Sequence, residues 1–534
     1  MKRTSTIAIA AGVLASALVL TACTPGDDAG GDAGGQELRI TAAEPTAGLD
    51  PAIAVTQASL RVMELMYDTL IDYDENNELI PMIAQEWEMS DDGLTYVFTI
   101  RDSATFSDGS DITADDVVYS LERAGASESL KARFAVVDSI EATGDKEVTI
   151  TLSTPSRVFL NTLAATGQAA ILSEAAVEAD PDYFIQPTAT SGPWSLVEMV
   201  PQSHVDLTAN EHYWNEGFPI IQDISYTFST DSTANAAALE TGTIDMTYNM
   251  KPADAVRLEE AGSIQFFEAP SAGLISWGFT KTSAPFDNED VRQAIAYMVP
   301  RADRLETCWE NIGTVSFGDQ IYPGQSFYVE GEQRFDVSAD EALATASELL
   351  DGAGWVEGPD GVRIADGVAG MADETPFAVS VPYENSWAQA RCNTEMLQQA
   401  LKPLGIEITP EAYDAASFWT DVAADKFQMY HGGNSYATTD AYFGQTFMCE
   451  GSANALIAKY CNPEVDELIT QAQATSDLEE AAELYRQVQD ILLDEQPMIS
   501  TGAQFAVIGT SLDLSGFYPR PDSSNRSLMY ASFN

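Results

Sequence analysis

The sequence predicts an α/β protein of more than one domain, built on mixed sheets, and three observations carry that prediction. The chain has 534 residues, against the roughly 100–200 typical of one domain. Helical and strand-like patterns alternate in its second half: residues 388–404 have helical apolar spacing and end at Gly405, before a strand over 406–408. Such alternation predicts βα units. Finally, residues 81–123 place a hairpin, a turn and a capped helix in direct succession.

From the N-terminus, Lys2 and Arg3 precede an apolar run over 7–20 and then Leu20-Thr21-Ala22-Cys23. This pattern is a secretory signal, too short and wrongly flanked for a membrane span. The small residues before Cys23 match a bacterial lipobox, which implies a signal over 1–22 and lipidation of Cys23. Several acyl chains on one residue anchor a protein stably. Residues 23–36 are Gly- and Asp-rich without periodicity and read as a tether of roughly 40 Å when extended.

A short strand is expected over 37–41, then a loop from Glu44 to Pro51 and a helix over 58–68 with Leu60, Met63, Leu65 and Met66 on one face. In 81–123, Ser90-Asp91-Asp92-Gly93 is a turn, and Leu94, Tyr96, Phe98 and Ile100 then alternate with Thr95, Val97 and Thr99 as a half-buried strand requires. After a second turn at 107–110, the Thr113 hydroxyl is placed to cap a helix with Asp116 three residues on. Further strands are expected over 147–152, 203–208 and 224–228, a helix starting near Val158, another ending at Gly242, and a third over 339–350.

The formal net charge is -58, from 25 Lys and Arg against 83 Asp and Glu. Such a surface repels the phosphate backbone and excludes nucleic-acid binding. With Cys23 lipidated, Cys308, Cys392, Cys449 and Cys461 remain, an even number suited to an oxidising compartment. Three connectivities are open; Cys449 with Cys461, closing a short loop, and Cys308 with Cys392 are favoured, because a four-cysteine metal site would need CxxC spacing. No GxxxxGK[ST], GxSxG or HExxH string occurs, and the only histidines are His204, His212 and His431. Neither a catalytic residue, nor a resident metal, nor a cofactor is expected.

Read as an ordered string, residues 81–123 resemble the signature of the family 5 extracellular solute-binding proteins, the peptide, nickel and oligosaccharide receptors that feed ABC importers. Other strings follow in the family's order: Ser191-Gly192-Pro193-Trp194, then Asn210-Glu211-His212-Tyr213-Trp214, residues 238–246, Val291-Arg292-Gln293-Ala294-Ile295 after Phe286-Asp287, and residues 460–468. The resemblance implies a periplasmic-binding-protein-like, two-lobed (type II, cluster C) fold with mixed sheets and an extra N-terminal α/β domain. It implies domain I over 37–57, 188–275 and 490–534, accessory domain II over 58–187, and domain III, the closing lobe, over 276–489. The function implied is capture of a peptide-like solute by hinge closure at the outer face of the cytoplasmic membrane. The partners are then a membrane permease and its ATPase, with the receptor a monomer.

For ligand contacts the resemblance points to Glu44, Tyr248 and Asn249 on one lobe and to Trp277, Tyr383, Trp387, Arg391 and Tyr413 on the other. Core packing is the competing reading for each aromatic. The loop over 431–440 adds Gly432, Asn434, Ser435, Tyr436 and Asp440. Peptide receptors of the family usually carry here an Asp that pairs with the peptide ammonium, and Asn434 and Ser435 occupy the matching places. A neutral amide and hydroxyl give up that charge-assisted contact. Either Asp440 or Glu44 supplies the charge, or the solute is an oligosaccharide, a glycoside, an opine, a modified peptide or a metal chelate.

Overall fold

A computed structural model describes residues 37–534 apart from 46–47, 55, 76–77, 132, 165–167, 270–274, 324, 386–388, 434–435, 437, 476 and 521–523. The signal, Cys23 and the tether, together with Trp387, Asn434 and Ser435, lie outside the described residues.

Three sheets organise these residues. The first has seven strands, in spatial order Gln265–Ala269, Ala506–Thr510, Met246–Thr247, Leu38–Ala42, Asp223–Phe228, His204–Ala209 and Trp194–Val200. Leu38–Ala42 sits at its centre because Leu38, Ile40 and Ala42 are all buried, and it runs parallel to both neighbours. The second sheet has five strands, in order Glu407–Tyr413, Ala378–Glu384, Met429–Gly433, Ile275–Phe279 and Met498–Ser500. Its first three are mutually parallel.

The third sheet is antiparallel, in order Ala84–Met89, Thr95–Ile100, Glu147–Leu152 and Val137–Gly144. It is the hairpin region read from the sequence. Tyr96, Phe98 and Ile100 point into a core of their own with Val148, Ile150, Val117 and Leu121, while Thr95, Val97 and Thr99 are half-buried. The helix Ala114–Ala126 opens with a full capping box: the Thr113 hydroxyl accepts from the Asp116 N–H, and the Asp116 carboxylate accepts from the Thr113 N–H at 2.9 Å. Two donors that a helix start leaves orphaned are thereby satisfied.

Helix ends follow the sequence closely. Gly242 and Gly405 both take positive φ just past a helix, at +71° and +81°, a conformation a side chain would strain. The four remaining cysteines form two disulfides, Cys308–Cys392 and Cys449–Cys461. Among the described residues no helix is long and apolar enough to cross a membrane.

Candidate solute-binding cleft

The chain passes between the first and second sheets twice. It leaves Gln265–Ala269 through residues 270–274 to enter Ile275–Phe279, and returns from Met498–Ser500 through 501–505 to Ala506–Thr510. Strand register fixes where the strands flanking these crossings begin and end. In the second sheet Ile275 is opposite Gly433 and Ser276 opposite Ser500, so the chain enters and leaves that sheet beside the C-terminal end of Met429–Gly433. In the first sheet Ala269 is opposite Ala506, past the C-terminal ends of Met246–Thr247 and Leu38–Ala42. Both sheets thus turn the carboxyl ends of their parallel strands toward the crossings, where open α/β sheets hold ligands.

The returning crossing is itself held in place. The Thr314 N–H donates to the Ala503 carbonyl at 2.8 Å, and Gly502, at φ +107°, has no room for a Cβ, which would meet the Thr314 carbonyl oxygen at 2.1 Å. Only glycine fits there.

On the first lobe, Glu44, Tyr248 and Asn249 all lie at these strand ends. Glu44 Oε1 accepts from the Gln202 N–H at 2.8 Å, tying down the neighbouring hairpin turn. Tyr248 donates its hydroxyl to Asn525 Oδ1 and carries the Arg61 guanidinium over its ring at 4.1 Å. Burial pushes the Tyr248 phenol well above its usual range, so it is a neutral, fixed donor. The Asn249 N–H donates to Thr247 Oγ1 at 3.2 Å.

On the second lobe, Tyr413 and Gly432 also lie at strand ends. The Tyr413 carbonyl accepts from the Asn385 N–H at 2.8 Å, and its ring meets Phe427 edge-on at 5.0 Å. A Cβ on Gly432 would press on Trp419 at 3.3 Å. Trp419 in turn donates its Nε1–H to Glu384 Oε2 at 2.9 Å. Tyr436 packs near Tyr442 at 5.7 Å and accepts from Thr446 Oγ1 at 3.0 Å.

Two expected contacts stand elsewhere. Trp277 is fully buried in the core of the second lobe, its ring edge-on to His431 at 5.4 Å; no face of it is open to a solute. Burial, reinforced by the Arg304 charge, holds His431 down to about 3, so this core imidazole is neutral. Asp440 has both oxygens occupied: Arg157 approaches them at 2.6 and 3.0 Å, and the Tyr485 hydroxyl donates to Oδ1 at 2.6 Å. Its charge is spent inside the protein, so it does not replace the missing ammonium partner.

Tyr383 and Arg391 line an open depression of about 1090 Å³ with Asp303, Thr307, Cys392 and Met396. All its lining residues fall within 300–410, and Tyr383 is one residue from the carboxyl end of its strand, whose last residue, Glu384, is opposite Tyr413. Arg391 is largely exposed there and pairs with Glu395 at 2.7 Å.

Sequence reasoning missed Arg61, Trp419 and an arginine of residues 58–187, Arg157. Arg157 reaches across to the second lobe, where it also donates to the Ala472 carbonyl and stacks on Phe327 at 4.6 Å. Among the described residues, the one grouping with metal-ligand chemistry is Glu198, His204 and Asp206, whose ligand atoms lie within 4.8 Å of one another on the edge hairpin of the first sheet. Ser203 and Ser225 hydroxyls already occupy His204 Nδ1 and Asp206 Oδ1.

Residues 78–455 match the family model of the bacterial extracellular solute-binding proteins, family 5 Middle. This chain belongs to that family. The glutathione-binding protein GsiB of Salmonella paratyphi A is 27% identical over 487 residues, which is 89% of this chain and 90% of the relative. Among solved structures, NikZ from Campylobacter jejuni in complex with Ni(L-His) aligns with a TM-score of 0.79 at 21% identity, over 93% of this chain and 99% of that one. The oligopeptide-binding protein AppA of Bacillus subtilis, in complex with a nonapeptide, gives 0.77 at 21% identity, over 94% and 99%. The fold is therefore that of the family 5 periplasmic binding proteins, and the family is one of binding proteins, not enzymes.

Proposed function

We propose that this family 5 protein is the lipid-anchored receptor of an ABC importer, capturing a peptide-like solute between its two lobes and delivering it to a membrane permease. In this reading residues 37–57, 188–275 and 490–534 form the fixed lobe, 276–489 the closing lobe and 58–187 the accessory domain, with Cys23 carrying the lipid. The observation that carries it is the meeting of both sets of parallel strand ends at two chain crossings. A hinge of this kind lets one solute contact both lobes, and a ligand shifts the population toward the closed form only through such differential contact. The named solute of GsiB, a tripeptide, supports a short peptide-like ligand.

Small-angle scattering and native mass spectrometry of the chain from residue 24 onward test the capture. With glutathione and di- to hexapeptides in the panel, a one-to-one adduct and a smaller radius of gyration are expected. Absence of both for every solute removes the reading. Cys23→Ser is expected to release the full chain from the membrane fraction; retention there would remove the lipid anchor.

A further inference from the structure

Three atoms of metal-ligand type converge on the solvent-facing side of the edge hairpin. His204 Nε2 lies 3.6 Å from Glu198 Oε1 and 3.5 Å from Asp206 Oδ2. Strand pairing explains how they meet. In Trp194–Val200, Leu196 is opposite Leu207, but the register then shifts and Glu198 is opposite Asp206. Regular pairing would set Glu198 against Val205, whose side chain is fully buried. The extra residue, Val197, is a bulge that turns Glu198 onto the face shared by His204 and Asp206, two positions apart on the neighbouring strand.

Their spacing fits a shared cation better than an ion pair. A hydrogen bond from an imidazole nitrogen spans about 2.7–3.2 Å, and at 3.5 and 3.6 Å neither carboxylate makes one. Nitrogen and oxygen ligands at their usual distance from a tetrahedral zinc ion are roughly 3.3–3.6 Å apart. The far ends of two of these side chains are held. His204 Nδ1 meets the Ser203 hydroxyl at 2.9 Å, and Asp206 Oδ1 accepts from the Ser225 hydroxyl at 2.9 Å. With Nδ1–H donated to Ser203, Nε2 keeps its lone pair on the side of the two carboxylates. Hydroxyls that fix the outer atoms and leave the inner ones open are what orients metal-binding side chains. Among the described residues no Lys or Arg pairs with Glu198 or Asp206, so two negative charges share this face with an imidazole.

We propose that Glu198, His204 and Asp206 bind a divalent transition cation of the zinc class, with a fourth position open to water. One imidazole with two carboxylates favours zinc over calcium and magnesium, which take oxygen ligands. The ion would fasten the outermost strand of the first sheet to its neighbour, in a hairpin whose turn is already tied to Glu44 through the Gln202 N–H at 2.8 Å. None of the three ligands is among the contacts expected for the solute, so the site stands apart from the capture reading.

Titration calorimetry of the untagged full chain with zinc chloride tests it, with calcium and magnesium chloride alongside, on the wild type and on His204→Gln, Asp206→Asn, Ser225→Ala and His212→Gln. A single zinc ion per chain is expected. His204→Gln and Asp206→Asn are expected to weaken it by more than about 100-fold, Ser225→Ala by about 10-fold, and His212→Gln not at all. Zinc should also raise the unfolding midpoint of the wild type and leave that of His204→Gln unmoved. Cobalt in place of zinc should give a visible absorption band that His204→Gln abolishes. Absence of zinc binding, binding that survives His204→Gln, an equal loss in His212→Gln, or calcium held as tightly as zinc would each overturn the proposal. Several ions per chain, bound without dependence on His204, would mark adventitious cations on an acidic surface and overturn it too. Should His204→Gln lower the midpoint of the metal-free protein, the isosteric Asp206→Asn decides: zinc affinity unchanged in that variant removes the site.

Discussion

The C-terminal segment and the second lobe hold their cations by different means. Arg520 grips Asp72 through two bonds of 2.7 and 3.0 Å, and Arg526 joins Asp68 while lying 3.5 Å from Asp72. Asp68 also accepts from the Tyr213 hydroxyl at 3.0 Å and from Trp214 Nε1 at 2.8 Å. All four charged groups are buried, and together they tie the end of the chain to the strand Ile71–Tyr73. Lys281, in the second lobe, is held by backbone carbonyls instead. A cation matched to carboxylates keeps its charge; one held by carbonyls alone is drawn toward the neutral form.

The largest effect expected from this contrast is on stability, at the matched cluster. Asp72→Ala should cost about 3–5 kcal/mol, because it leaves two arginines buried without their shared partner. The midpoint of guanidinium unfolding measures it. Burial alone would push the Asp72 carboxyl up, but Arg520 and Arg526 outweigh it and hold it below the usual range. Its contribution is therefore present above about pH 4, the ordinary carboxylate value, and fades as pH falls through the folded value. A loss under about 1 kcal/mol in the variant would break the contrast at its structural end.

Lys281 sharpens the comparison: among the described residues no carboxylate is hydrogen-bonded to its ammonium, which donates to the Ala458 and Pro497 carbonyls. Burial, with Arg292 and Lys459 nearby, draws its pKa down to about 7. From there up to the ordinary value of about 10.4, the unfolded chain holds a proton that the folded protein has released. Stability attributable to Lys281 therefore rises with pH across that window, and the penalty of a buried ammonium is fully present below it. Lys281→Met should flatten this rise by roughly a few kcal/mol, read as the difference between wild-type and variant unfolding free energies at pH 7 and pH 10. Parallel pH profiles would mean that the two carbonyls keep the ammonium charged throughout.

How much of this was legible in the sequence depended on range. The 81–123 hairpin and the Thr113–Asp116 cap were readable because each is decided within a few residues by alternation and by a hydroxyl three positions from a carboxylate. Trp277 was harder. Alternation tells which residues share a strand face, but not whether that face meets a cleft or a helix, and here the indole lies in the core. Arg157 and Asp440 were not readable at all, being partners across 283 positions.

Asp440 marks the point where the two kinds of site meet. Its pair with Arg157 is as complete as the Asp72 cluster, but it joins the accessory region to the lobe expected to close, so it bears on closure as well as on stability. Asp440→Asn keeps the shape and an acceptor for Tyr485, and removes the charge that Arg157 grips. A loss of about 1.5–3 kcal/mol is expected, the worth of hydrogen bonds to a charged group, because Arg157 retains the Ala472 carbonyl and the Phe327 ring. If the pair forms only when the lobes are together, the same change should also weaken glutathione binding, and the radius of gyration of the unliganded protein should grow. If it is permanent, unfolding shifts while affinity and radius do not. Scattering on the unliganded variant separates the two outcomes: an unchanged radius would make Arg157 and Asp440 a fixed joint, and a larger one would make the pair part of closure.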